Sequence, residues 1–342
     1  MRKWAPLLLT LMAFAAIVSV TTAASDPPAP WAYGFDTPPP PPAPPGAGGG
    51  RGGRGAPPPP DPTQYTVPGS DVKMTRAQIG NGFNVGDWFP NDHAKLPYVV
   101  QYGKAPDVRA CGLCHLISGK GRPENASVSG LPVAYFLQQL QDFRNDLRKT
   151  SDPRKANTGI MATIAKGLSE DEMKAAAEYF SKIPWNTQWI KVVESPTVPK
   201  TRSAGGMWMS LEKNEMEPIG NRIMEMPANN ELVELRDYRQ DGSFVAYVPP
   251  GSIKKGEALA NGGTKFTKCS VCHGPDLMGV GPVPGIAGRS PSYLARQMFD
   301  MQQGNRKGPW VVLMQPVVDK MTGDDVLNVI AYVSSLGASL KN

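Results

Sequence analysis

All four cysteines of this chain stand in two copies of one pentapeptide, Cys111-Gly112-Leu113-Cys114-His115 and Cys269-Ser270-Val271-Cys272-His273. None is left over, so any reading must explain both copies and the histidine that closes each. The copies belong to a longer repeat. At an offset of 273 − 115 = 158, Gly130 aligns with Gly288, Tyr135 with Tyr293, Gln139 with Gln297 and Arg148 with Arg306. The offset then becomes 314 − 161 = 153, which pairs Met161 with Met314, Leu168 with Met321, Ser169 with Thr322, Asp171 with Asp324, Tyr179 with Tyr332 and Ile183 with Leu336. A single five-residue length difference separates the halves. The chain carries an internal duplication.

Each half reads as helical. Residues 135–149 and 293–303 lack proline and glycine, and the first of these spaces Tyr135, Phe136, Leu140, Phe143 and Leu147 along one helical face. The last helix of each half starts at an N-cap, Ser169 with Glu172 three residues on and Thr322 with Asp325. Met173, Ala176, Ala177 and Phe180 make one apolar stripe; Val326, Val329, Ile330 and Val333 make the other. The expected fold class is therefore all-α, with two tandem domains at 71–185, the first carrying an N-terminal extension, and 251–342. Domains of roughly ninety residues bury little surface, so an apolar cofactor would help to stabilise each.

Outside the halves, composition sets the organisation. Arg2 and Lys3 precede the apolar run 4–20, and Thr22-Ala23-Ala24 offers small residues for cleavage, so 1–24 reads as a signal peptide. The run is also long enough for an uncleaved membrane anchor. Either way the remainder is expected in the periplasm. Residues 25–70 hold 16 Pro and 8 Gly between Asp26 and Pro68 and are expected to be a disordered, semi-rigid spacer. Trp31, Tyr33 and Phe35 interrupt it, either as a chance cluster or as a docking segment. Residues 186–250, with short alternating pieces such as Phe244 to Val248, read as an irregular connector that packs over both domains and has room for a short hairpin. Lys plus Arg exceed Asp plus Glu by 36 − 30 = 6, and losing Arg2 and Lys3 would leave 4, which gives no case for nucleic-acid binding.

Cys-x-x-Cys-His is an attachment signature for c-type haem. On a helical turn the two sulfurs share a face, each able to form a thioether with a vinyl group, and the histidine reaches the iron from the same face. A structural zinc site would set its Cys-x-x-Cys pairs about 15–20 residues apart. Here Cys114 and Cys269 are 269 − 114 = 155 positions apart. A thioredoxin-like motif needs a βαβ context, and disulfides leave the histidines unexplained. Two covalent haems attached at Cys111, Cys114, Cys269 and Cys272 are expected, with His115 and His273 as axial ligands.

Met161 and Met314 are the expected sixth ligands, because each stands eight residues before the N-cap of the last helix. A thioether favours ferrous iron and raises the potential, and an iron filled on both sides has no open position for peroxide or oxygen. Met173, Met298, Met301 and Met321 read as core, and Met207, Met209, Met216, Met224 and Met226 fall in the connector. His93 could replace a methionine on one haem, but reads first as a surface or propionate-contacting residue. The arithmetic of cysteines excludes a cysteine ligand.

These residues resemble the class I cytochromes c, and their duplication is similar to the di-haem cytochrome c4 type. The likeness covers roughly 96–183 and 252–336 and includes the Gly130-Leu131-Pro132 and Gly288 to Pro291 loops that lead into Tyr135 and Tyr293. It implies two cytochrome c domains facing each other, with electrons passing between a membrane complex or dehydrogenase and an acceptor such as a terminal oxidase. The expected function is a periplasmic electron carrier and not an enzyme. The rivals are a dedicated subunit of a dehydrogenase or oxidase complex, a di-haem peroxidase, and a haem-based ligand sensor. The long connector and the spacer depart from a compact family member.

Overall fold

The computed structural model describes residues 26–40, 61–211, 215–239, 241–262 and 265–338; the expected leader at 1–24 and the middle of the spacer lie outside them. Both halves run through five helices in the same order. The first has Tyr98–Gln101, Cys111–His115, Val133–Arg144, Ala156–Gly167 and Glu170–Ser181; the second has Ser252–Ala260, Cys269–His273, Pro291–Gln302, Val311–Val318 and Gly323–Ser335. Reciprocal capping boxes start the two last helices at Ser169 and Thr322, as the spacing predicts. Gly130 and Gly288 both take a φ of +67°. Their N–H groups donate to Phe180 and Val333 of the last helices, at 3.1 and 2.8 Å. A side chain there would meet both the left-handed backbone strain and the chain at Trp185 or Gly337.

In the second half the first and last helices cross in close contact. A Cβ on Gly256 would fall inside the Asn328 carbonyl and lie 2.8 Å from Tyr332 Cβ. The two backbones must separate to admit it. Gly256→Ala is therefore expected to cost about 3 kcal/mol, at the upper end of ordinary overpacking. Denaturant unfolding of the haem-loaded protein checks this.

The all-α expectation fails between the halves. The connector is β-rich: Phe244–Val248 is the central strand of a three-stranded sheet, parallel to Ile190–Glu194 and antiparallel to Met224–Pro227. Burial alternates along Phe244–Val248, a period of two that suits a strand with one face in a core. Thr201–Ala204 and Met207–Ser210 form a hairpin, and Thr197–Pro199 pairs with Met216–Pro218. Met207, Met209, Met224 and Met226 fill the interior, where an unbranched thioether fits irregular gaps.

The described ends of the spacer are not disordered either. Residues Pro30–Tyr33 form a short 3-10 turn that buries Trp31, Ala32 and Tyr33. Tyr33 donates to Asp300 at 2.8 Å, Trp208 Nε1 donates to the Trp31 carbonyl at 3.2 Å, and Arg154 lies over the Phe35 ring at 4.0 Å. Gln64–Tyr65 pairs with Met74–Thr75, and Val67 is buried. The aromatic cluster is a docking segment: rings of this size hold too much apolar surface to remain in water when a core is in reach. No helix among the described residues is long and apolar enough to cross a membrane.

Candidate functional site

Each pentapeptide forms a short helix, Cys111–His115 and Cys269–His273. All four thiols are free of disulfides. Burial pushes the Cys111 thiol up to about 12, and raises Cys114 and Cys269 as well. Neutral thiols in apolar surroundings are poor ligands for a bare cation. No group of three or more His, Cys, Asp or Glu side chains able to hold a metal ion occurs among the described residues.

Both histidines are buried and oriented in one manner. His115 Nδ1 lies 2.8 Å from the Ala126 carbonyl, and His273 Nδ1 lies 2.8 Å from the Pro284 carbonyl. A carbonyl only accepts, so Nδ1 carries the proton and Nε2 keeps its lone pair. Burial holds both imidazoles below the ordinary histidine range, which keeps them neutral and fit to ligate.

A cavity adjoins each histidine. The one beside His115, of about 100 Å³, has Leu131, Phe136, Leu140, Phe143 and Met161 among its walls. The one beside His273, of about 370 Å³, is walled by Cys269, Cys272, Leu294, Met298, Met314 and other largely apolar groups. The structure thus brings each histidine, its methionine and an apolar cavity together. It places Met161 and Met314 in helices, Ala156–Gly167 and Val311–Val318. His93 lines neither cavity; Asp87 Oδ2 at 2.8 Å and the Ala94 carbonyl at 2.8 Å hold its ring.

The repeat meets itself between the cavities. Leu131, Tyr135, Gln139, Tyr293 and Gln297 line both. Arg148 reaches across to Tyr293 and Gln297 at 2.9 and 2.8 Å, and Arg306 returns to Tyr135 and Gln139 at 2.9 Å each. The backbones join there too, with Lys149 N donating to Asn305 O and Lys307 N to Leu147 O. Arg289 adds bonds to the carbonyls of Ser127 and Ser129, both at 3.1 Å. Arg148 and Arg306 are both buried. The Arg306 Nε has no hydrogen-bond partner among the described residues. Buried guanidinium groups with donors to spare, at the wall of an apolar cavity, suit a flat apolar group that carries carboxylates. The attachment cysteines, neutral imidazoles and cation-lined cavities all fit haem c.

The seam was the part of the site that sequence reasoning missed. Its signal was present, because Tyr135/Tyr293, Gln139/Gln297 and Arg148/Arg306 are among the polar residues kept in both halves.

Comparison with known proteins agrees with the geometry. The family model of cytochrome c matches residues 255–337. Cytochrome c-554(548) of Halomonas halodenitrificans is 36% identical over 81 residues, 23% of this chain and 96% of that protein. The chain belongs to the cytochrome c family: its cofactor is covalently bound haem c and its activity is electron transfer. Over a longer span it is similar to the thiosulfate dehydrogenase electron acceptor of Stutzerimonas stutzeri, with 27% identity over 241 residues, 70% of this chain and 84% of that protein. The cytochrome c4 of Stutzerimonas stutzeri is 26% identical over 165 residues, 42% of this chain and 78% of that protein.

Proposed function

We propose that this chain is a two-haem electron carrier of the periplasm that accepts electrons one at a time from a dehydrogenase and passes them to a further redox protein. It has no catalytic residues of its own. Cys111 and Cys114 hold one haem, Cys269 and Cys272 the other; His115 with Met161 and His273 with Met314 close the two irons. The two haem-bearing lobes are 71–185 and 251–342.

Haem c, when bound, supplies an iron that changes charge by one without making or breaking a bond. The chain's own work is to keep that iron closed and its surroundings fixed. The Ala126 and Pro284 carbonyls hold the imidazole rings in one orientation and raise their basicity as ligands. The helices that carry Met161 and Met314 are tied to capped last helices, so the thioethers have little freedom to swing away. Arg148, Arg289 and Arg306 offset carboxylate charge at the seam while the apolar walls exclude water.

One observation carries this reading: each half sets a neutral histidine and a methionine on the walls of the same apolar cavity. The name of the acceptor from Stutzerimonas stutzeri supports a dehydrogenase as the donor. A spectroscopic titration of the haem-loaded protein tests it. Two electrons are expected per chain, with low-spin spectra in both redox states, no carbon monoxide uptake by the reduced form and no peroxide turnover. High-spin ferric haem with turnover of peroxide would replace the carrier by an enzyme, and ready uptake of carbon monoxide would point to a sensor.

A further inference from the structure

The turn that carries Met161 has little packing to hold it. The buried residues of the helix Ala156–Gly167 are Ile164 and Ala165, both beyond the methionine. Ahead of it Ala156 and Gly159 are exposed, Asn157, Thr158 and Ile160 are half-buried, and a Cβ on Gly159 would meet nothing within 4 Å. The helix starts at Lys155 without a side-chain cap. An open glycine one turn into an uncapped helix leaves that turn prone to fray.

One side chain compensates. Asn157 Nδ2 donates to Asn125 Oδ1 at 2.9 Å, and Asn125 Nδ2 donates to the Cys114 carbonyl at 3.2 Å. A carbonyl only accepts, so Cys114 fixes which way both amides face. Among the described residues this is the one side-chain hydrogen bond by which 156–163 reaches outside its own helix, since Thr163 Oγ1 returns to the Gly159 carbonyl. Asn157 stands four residues before Met161, on the same helical face, and both line the first cavity together with Asn125 and His115. Asn125 is followed by Ala126, whose carbonyl orients His115. The dipeptide Asn125-Ala126 is thereby bonded to the attachment helix, to the histidine ring and to the turn of the methionine.

The second half is built otherwise. At the offset of 158 Asn125 becomes Val283, whose side chain accepts no hydrogen bond, and four residues before Met314 stands Trp310. The Trp310 ring packs 6.1 Å from that of Tyr135 across the seam. An apolar contact does there what a pair of amides does in the first half.

We infer that Asn157 is a positioning residue for Met161: its bond to Asn125 latches the turn of the methionine to the attachment loop and slows the release of the thioether from the first iron. This rests on the ligand assignment proposed above. While the latch holds, a thioether that lets go stays at the wall of its cavity and returns. Without it the turn frays outward and an external base takes the position, so that one iron–sulfur bond breaks, one iron–nitrogen bond forms and no electron moves.

The test uses the full haem-loaded chain in the ferric state, mixed with excess imidazole, with loss of the sulfur-to-ferric band followed by stopped flow. A Met314→Ala background leaves the share of the band that belongs to the first half, and a Met161→Ala background leaves that of the second. Asn157→Ala is expected to speed loss of the first share about fivefold, the scale of one lost hydrogen bond, and to leave the second share as it was. Asn125→Leu, which removes the acceptor, is expected to do the same, and the two changes together no more than either alone, because they break one bond. An unchanged rate in Asn157→Ala overturns the latch, and equal acceleration of both shares overturns it in favour of a general loosening. If Asn157→Ala takes up less than two haems, Asn125→Leu decides by the same rates, and failure of both variants to load makes the pair structural and overturns the positioning role. A band that Met161→Ala leaves whole ends the ligand assignment and this inference with it, whereas a band halved by Met161→Ala but indifferent to Asn157 ends the inference alone.

Discussion

Met314→Ala is expected to remove half of the sulfur-to-ferric charge-transfer band and to lower one haem potential, and Met161→Ala is expected to do the same to the other half. The direction follows from chemistry: a thioether stabilises ferrous iron, so its loss favours the ferric state. Axial ligands spread haem potentials over about 0.8 V, so a fall on the order of 0.1 V or more in one titration wave is expected. The choice of methionines is where the repeat helps. Met298, Met301 and Met321 also line the second cavity, so burial alone does not select Met314. Their counterparts in the first half, however, are Leu140, Phe143 and Leu168. Met161 is the single methionine on the walls of the first cavity, and Met314 is its match. An unchanged band in either variant would mean that another side chain closes that iron.

The repeat was legible for the same reason. A helical half must keep its caps, its left-handed glycines and its ring-orienting carbonyl at fixed distances from the attachment pentapeptide, and these spacings are visible in one dimension. Ser169, Thr322, Gly130 and Gly288 all occupy the places their spacing predicts. The connector was not legible because its strands pair at long range. Ile190–Glu194 lies beside Phe244–Val248 across some fifty intervening residues, and no local period announces a parallel partner. The spacer misled for a different reason. Its composition describes most of its residues, but Trp31 and Tyr33 bind as individuals, and averages over a proline-rich segment hide two buried rings. The seam was hidden because Arg148 and Arg306 are ordinary on a helix end until the other half covers them.

Arg296→Met is expected to cost about 3–5 kcal/mol of stability, the range for removing one member of a buried charge group. Arg296 is a departure from the repeat: its counterpart is Gln138, which bonds Asp142 within its own helix at 2.8 Å. In the second half the guanidinium instead joins three parts of the molecule. It donates to the Ala32 carbonyl of the N-terminal segment at 2.8 Å and to the Pro123 carbonyl of the first half at 2.7 Å, from a helix of the second. Its charge also offsets the buried carboxylates of Glu225 and Asp300. Methionine fills similar space but leaves two carbonyls without these donors and takes one cation from two buried acids, which keep only Lys155 and Arg306 near them. Denaturant unfolding of the haem-loaded protein measures the loss. Tyr33→Phe, which removes one hydroxyl and leaves Asp300 its bond from Ser151 N at 2.7 Å, is expected to cost only about 1 kcal/mol. The pH dependence separates the causes. Burial already raises the carboxyl groups of Glu225 and Asp300 above the usual carboxylate range, and without Arg296 they rise further. A native state that holds protons more tightly than the unfolded chain loses stability as pH rises. The deficit of the variant should therefore be small at pH values where both acids are protonated and grow as pH climbs through their native titration. A deficit constant across pH would attribute the loss to the two orphaned carbonyls alone.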